Sequence, residues 1–134
     1  MNREIKFRGK SLINIGNIKE GDWVYGGITY NNDRVWIDIP YIGEVLIYPD
    51  TVGQFTGLYD NAKKEIYEGD IVKVNDEIIA EVIWENDYLG YFLYVNEENS
   101  IDSFENGEQP LYDYWGSIEV IGNIYDNPEL LGGE

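Results

Sequence analysis

The 134-residue sequence has no histidine and no cysteine, and past Lys73 it has no base of any kind. Without imidazole or thiol there can be no Ser-His-Asp triad, no Cys-His dyad, no imidazole general base and no zinc site of nitrogen or sulfur ligands. Only oxygen chemistry stays open, such as a carboxylate-held Mg²⁺ or Ca²⁺. The missing cysteine also rules out a disulfide framework and leaves the chain indifferent to redox compartment. No apolar run approaches the roughly 18 residues of a membrane-spanning helix, and the basic opening Met1 to Arg8 lacks the apolar core of a signal peptide. A protein neither exported by that route nor spanning a membrane is expected.

What is present is acid and aromatic. Residues 1 to 73 carry 11 acids against nine bases, while residues 74 to 134 carry 15 acids and no base, so nearly all of the net charge of -17 belongs to the second half. Such a field repels phosphate backbones and lipid headgroups and attracts basic surfaces. Apolar residues make up 43% of the chain and aromatics 15%, with 12 Tyr and four Trp, far too many order-promoting side chains for a disordered acidic tail. The charge therefore sits on a folded surface, and the length suits one domain over 1–134. Within it, residues 1–50 can form an N-terminal part packed on a small barrel formed by 51–134.

Short β signals recur along the chain. Ile5 to Arg8 alternates apolar with basic as a half-buried strand does. Gly9 to Gly21 has loop character, with Leu12, Ile13, Ile15 and Ile18 as anchors that pack it down. Trp23 to Tyr30 and Arg34 to Ile39 read as a hairpin about Asn31-Asn32-Asp33, with Val35, Ile37 and Ile39 on the core side and Pro40 closing the pairing. Glu44 to Tyr48 and Val52 to Leu58 are further strands. Glu65 to Tyr67 is extended, and Glu68-Gly69-Asp70 turns into Ile71 to Val74 as at the corner of a small barrel. Ile78 to Trp84 alternates most clearly and forms a second hairpin with Tyr88 to Val95. Asn96 to Pro110 reads as a long polar loop with a helical turn near Ser100 to Phe104, and Tyr112 to Trp115 as a short helical or extended piece. Ile118 to Tyr125 is a strand interrupted by Gly122, and Asn127-Pro128 starts one helical turn. No long helix, repeat or heptad occurs. The fold class is all-β, a small antiparallel barrel or sandwich of short strands with long loops.

Four tracts, taken together, resemble the YopX-like proteins of bacteriophages and prophages. They are Arg3 to Arg8, Gln54-Phe55-Thr56-Gly57-Leu58-Tyr59-Asp60, Lys64-Glu65-Ile66-Tyr67-Glu68-Gly69-Asp70-Ile71-Val72, and Glu119 to Leu131 with its Ile121-Gly122-Asn123-Ile124-Tyr125-Asp126-Asn127-Pro128 centre. In place of the family's usual Lys-Asn-Gly turn this chain has Asn61-Ala62-Lys63. Either another turn type is used there, or Lys63 takes a positive φ at some cost. The resemblance implies a small, mainly β, phage-encoded protein able to self-assemble into oligomers in the bacterial host cytoplasm. It carries over no established activity and no catalytic residue.

Three constellations admit both a functional and a blander explanation. Glu65, Glu68 and Asp70 could hold Mg²⁺ or serve as paired carboxyls of glycosidase type, but Glu-Gly-Asp is first of all a turn. Gly21 to Gly27 is glycine-rich yet leads into a strand rather than a helix N-terminus, which favours a close backbone approach or bulge over a phosphate loop. Arg3, Lys6, Arg8 and Lys10 form the one basic cluster, either a phosphate-contacting strip or a face that pairs with the acidic half of the same or a neighbouring subunit. Surplus Tyr and Trp suit an oligomer contact.

The sequence thus predicts a non-enzymatic, oligomeric, protein-binding domain. No catalytic, cofactor-binding or metal-ligating residue is assigned and no cofactor is implied. Expected partners are copies of the chain itself or a basic host or phage protein, with no direct nucleic-acid or membrane contact. Two alternatives stand beside it: an acidic decoy that imitates DNA to occupy a host DNA-binding protein or nuclease, and a carboxylate-based metal-dependent hydrolase.

Overall fold

A computed structural model describes residues 4–76, 78–86, 89–95, 107–110 and 118–131. Among them the chain is mainly β: eleven strands in two antiparallel sheets, two single 3-10 turns and no α-helix. The chain divides into two compact units, Met1–Phe55 and Thr56–Glu134.

The first unit holds β1 (Phe7–Lys10), β2 (Trp23–Asn31), β3 (Arg34–Ile39), β4 (Gly43–Ile47) and the opening of β5 (Gly53–Tyr59). They run in the order β4-β3-β2-β1-β5. The β2–β3 register sets Asn31 opposite Arg34 and Ile28 opposite Ile37, so Asn32 and Asp33 alone make the turn. The period-2 alternation then sends Val35 and Ile37 inward. Val24, Ile37, Val45 and Ile47 form the core, with Ile13, Ile15, Ile18 and Ile39 packed on it, so the loop of residues 11–22 is anchored as its isoleucines predict. Each fully buried Val or Ile of this kind stabilises by about 1.5–3 kcal/mol. The first strand starts two residues later than the alternation suggests and runs on to Lys10, because Gly9 and Lys10 pair with Val24 and Trp23.

In the second unit the rest of β5 pairs with β6 (Glu65–Tyr67). The other sheet has the order β10-β9-β8-β7-β11, with β7 (Asp70–Val74), β8 (Ile78–Glu85), β9 (Gly90–Val95), β10 (Gly107–Pro110) and β11 (Ile118–Asn123). Ile78, Ala80 and Val82 alternate into a core with Val72, Val74, Leu93, Ile118 and Ile66 of β6. The fourth member of that row, Trp84, stays exposed and meets Tyr91 edge-on, ring centroids 5.1 Å apart.

Neither sheet closes into a barrel; both orders are open, which fits the sandwich-like form of the expectation. The polar stretch from Asn96 to Pro110 is not loop throughout, since residues 107–110 form β10 and pair with Pro110 opposite Phe92. Proline is tolerated there because β10 is an edge. The turn expected near 100–104 and the segment 112–115 lie outside the described residues. β11 is irregular between Val120 and Gly122. The chain then makes a 3-10 turn at Pro128–Leu131, where proline's fixed φ suits a first helical position.

Candidate functional site

The basic strand sets the geometry of the first unit. Gly9 faces the core: a Cβ there would run into the Ile47 side chain and lie 3.5 Å from Ile37 Cδ1. Alternation therefore puts Lys6, Arg8 and Lys10 on the opposite face, where the register sets Arg8 beside Tyr25 and Lys10 beside Trp23. The Arg8 guanidinium lies 4.6 Å from the Trp23 ring centroid, with Lys10 Nζ at 5.4 Å from the same ring and Lys6 Nζ at 5.5 Å from that of Phe55. Cations held over ring faces are stabilised by about 0.5–2 kcal/mol each. Lys6 also pairs with Glu4 at 3.3 Å. The bases are thus laid down on aromatics, and Arg8 is only 6% exposed, an arrangement that does not favour the phosphate-strip reading. Arg3 lies outside the described residues.

The sheet beyond β1 remains open on that face. Tyr25 is exposed and Trp36, opposite Thr29, is half-buried. At the β2–β3 turn the face ends in a hollow of about 230 Å³ bounded by Asn31, Asn32, Asp33, Arg34 and Trp36. Sequence reasoning missed this feature; a Trp two residues from an Arg beside an Asn-Asn-Asp turn was the only signal for it.

The glycine-rich tract is a close approach. A Cβ on Gly26 would strike the Asp38 carbonyl, and Gly21 adopts φ 92° in the turn that donates its N–H to Ser11. No helix follows, so no convergent amides exist to hold a phosphate.

The carboxylate tract is engaged locally, by one backbone and one side-chain donor of Tyr67. Asp70 Oδ2 accepts the Tyr67 N–H at 2.8 Å, and Glu65 Oε1 accepts the Tyr67 hydroxyl at 2.9 Å. Between them Gly69, at φ 94°, donates its N–H to Val82 O and accepts from Ile124 N–H. Glu68 faces Glu81, whose carboxyl is pushed above the ordinary range by burial and, secondarily, by that neighbouring charge. Among the described residues no three carboxylates are placed to hold a metal ion.

Asp60 was not singled out in the sequence, yet it organises more backbone than any of these. Its Oδ1 accepts the N–H groups of Ala62 and Lys64, and its Oδ2 that of Val120. Lys63, next in this turn, takes φ 66°, so of the two outcomes open for Asn61-Ala62-Lys63 the chain adopts the positive φ. At the other end of the same tie, Asn123 Oδ1 accepts from Tyr125 and Asp126, and Asn127 Oδ1 from Asn123.

Charge divides along the two units. Met1–Phe55 has six bases against seven acids, a net charge of -1; Thr56–Glu134 has three against 19, a net charge of -16. Among the described residues no helix is long and apolar enough to cross a membrane.

No curated protein matches the chain. A family model does, over residues 6–132, which takes in the turns at Asp60, Gly69 and Asn123 described above. The chain belongs to the YopX protein family.

Proposed function

We propose that this member of the YopX family is a non-enzymatic accessory protein that binds protein, in the first place copies of itself, through its N-terminal unit. The division of charge is the observation that carries this reading. The unit with net charge -1 exposes Ile5, Tyr25, Tyr30, Tyr41 and Ile42, while the other unit holds nearly all the repulsive charge. Tyr41 is fully exposed at the tip of the β3–β4 turn, where φ 69° belongs to the tight connection that pairs Ile39 with Gly43. Two copies can meet through such residues and bury Tyr and Ile, which suit interfaces, without desolvating the carboxylates of the second unit. Absence of His and Cys is consistent with binding rather than chemistry.

Light scattering at micromolar concentration tests it. The wild-type chain is expected above 15.5 kDa, and a Tyr30→Ser/Tyr41→Ser/Ile42→Ser variant of unchanged circular dichroism at the monomer mass. An assembly that survives those three changes would place the contact elsewhere.

The net charge of -16 on the second unit favours one other reading, an acidic decoy that fills the cationic groove of a DNA-binding protein. Its mark would be displacement of DNA from a basic host protein, abolished by Glu→Gln changes within residues 97–108. Acidic surfaces that serve solubility alone would displace nothing.

A further inference from the structure

We infer that the hollow at the β2–β3 turn is a binding site for one neutral hexose ring, free or as a residue of a glycan. The turn is fixed by backbone geometry: Asn31 pairs with Arg34, and Asn32 takes φ 58°, the left-handed conformation asparagine tolerates best among non-glycine residues. Arg34 and Trp36, two apart on β3, project from one face, and Asn31 stands across from Arg34 on the same face. Asn32 and Asp33 close the end, so the residues lining a space of about 230 Å³ carry between them an indole, a guanidinium, two carboxamides and a carboxylate.

Among the described residues, none of these five side chains has a hydrogen bond, ion pair or ring contact. Asp33 and Arg34 are neighbours of opposite charge and do not pair. Asn31, Asn32, Asp33 and Arg34 are exposed and Trp36 is half-buried, so their polar groups and one indole are available at the hollow and the fold uses none of them.

The ligand class follows from that set. A pyranose offers a flat C–H face to lie against an indole and a rim of hydroxyls that each donate and accept. Carboxylate accepts, guanidinium donates and carboxamides do both. The charges of Asp33 and Arg34 cancel, so the site carries no net attraction for an ion, and the chain's charge of -17 works against an anionic ligand. The hollow is smaller than drug-sized pockets of roughly 300–1,000 Å³, which limits it to a single ring. A Kd on the order of 1 mM is the affinity the titration below is set to detect. Several copies on one assembly would multiply that on a glycan surface.

The test is a ¹H–¹⁵N NMR titration of the full chain with the methyl glycosides of glucose, galactose, mannose and N-acetylglucosamine, each to about 50 mM. For at least one sugar we expect saturable shifts confined to residues 31–36 and the Trp36 indole N–H. Affinity should fall about tenfold or more in Trp36→Ala, and likewise in Asp33→Asn and Arg34→Gln, exposed changes whose unchanged spectra elsewhere certify the fold. Absence of saturable shifts with all four sugars, shifts centred elsewhere, or equal affinity in Asp33→Asn and wild type would each overturn the assignment.

Discussion

Asp60 Oδ2 accepts the backbone N–H of Val120 at 2.9 Å across 60 residues of sequence, while its Oδ1 holds the turn that starts beside it. One carboxylate thus joins two of the tracts by which the family is recognised. Their shared use is to fasten β11 to the β5–β6 turn.

Replacing Asp60 should therefore cost more than a surface acid would. Asp60→Ala leaves three backbone N–H groups without their acceptor, and at about 1–3 kcal/mol for each buried one left unmet we expect a loss of roughly 2–4 kcal/mol. Asp60→Asn keeps one carbonyl oxygen and should fall between. Urea unfolding monitored by tryptophan fluorescence measures both.

Gly122 faces Asn127 so closely that a Cβ would lie 2.6 Å from Asn127 Oδ1. Gly122→Ala should destabilise by about 1–3 kcal/mol, as overpacking does. Part of that loss should return in Gly122→Ala/Asn127→Ala, and the coupling in the double-mutant cycle is the quantity to read.

Lys63 points the other way. Its φ of 66° strains a side chain that glycine would lack. Lys63→Gly should raise stability by about 0.5–1 kcal/mol, the relief of a left-handed non-glycine residue less the added freedom of the unfolded chain. A thermal melt suffices.

Glu81 carries a pH signature. Its carboxyl is raised above the ordinary value by burial and then by Glu68, so the folded state holds this proton more tightly than the unfolded chain does. The stability this gives is complete at pH below the unfolded value and is lost as pH rises through the folded one. Glu81→Gln should thus match the wild type in acid and exceed it at neutral pH. Because the site is part-exposed and screened, the gain should be only about 0.2–1 kcal/mol. Urea midpoints of the two proteins across that interval give the comparison.

Local chemistry in the sequence was enough to read most strands. Alternation in residues 78–84 and 35–39 located both cores, because a half-buried strand has no other way to place its side chains. The asparagine-rich turn, the close approach at Gly26 and the choice forced on Lys63 follow from backbone sterics of single residues. Pairing across long separations was hidden. Strand β10 is polar and ends in proline, and only β9 beside it makes it a strand. Asp60 looks like any turn residue until Val120 arrives, and the bases Lys6 and Arg8 look solvated until Phe55 and Trp23 lie under them. Gly69 at φ 94° does turn the chain from β6 into β7, as its tract suggests, but both sheets stay open, and whether a sheet closes depends on pairings distant in sequence.

Sedimentation velocity of the wild-type chain at micromolar concentration, in about 50 mM and about 500 mM salt, tests the central claim most directly. Self-association through the near-neutral unit should give a species heavier than 15.5 kDa that grows with salt, as repulsion between the acidic units is screened. A single monomer boundary at both salts, or an assembly that dissolves as salt rises, would contradict it.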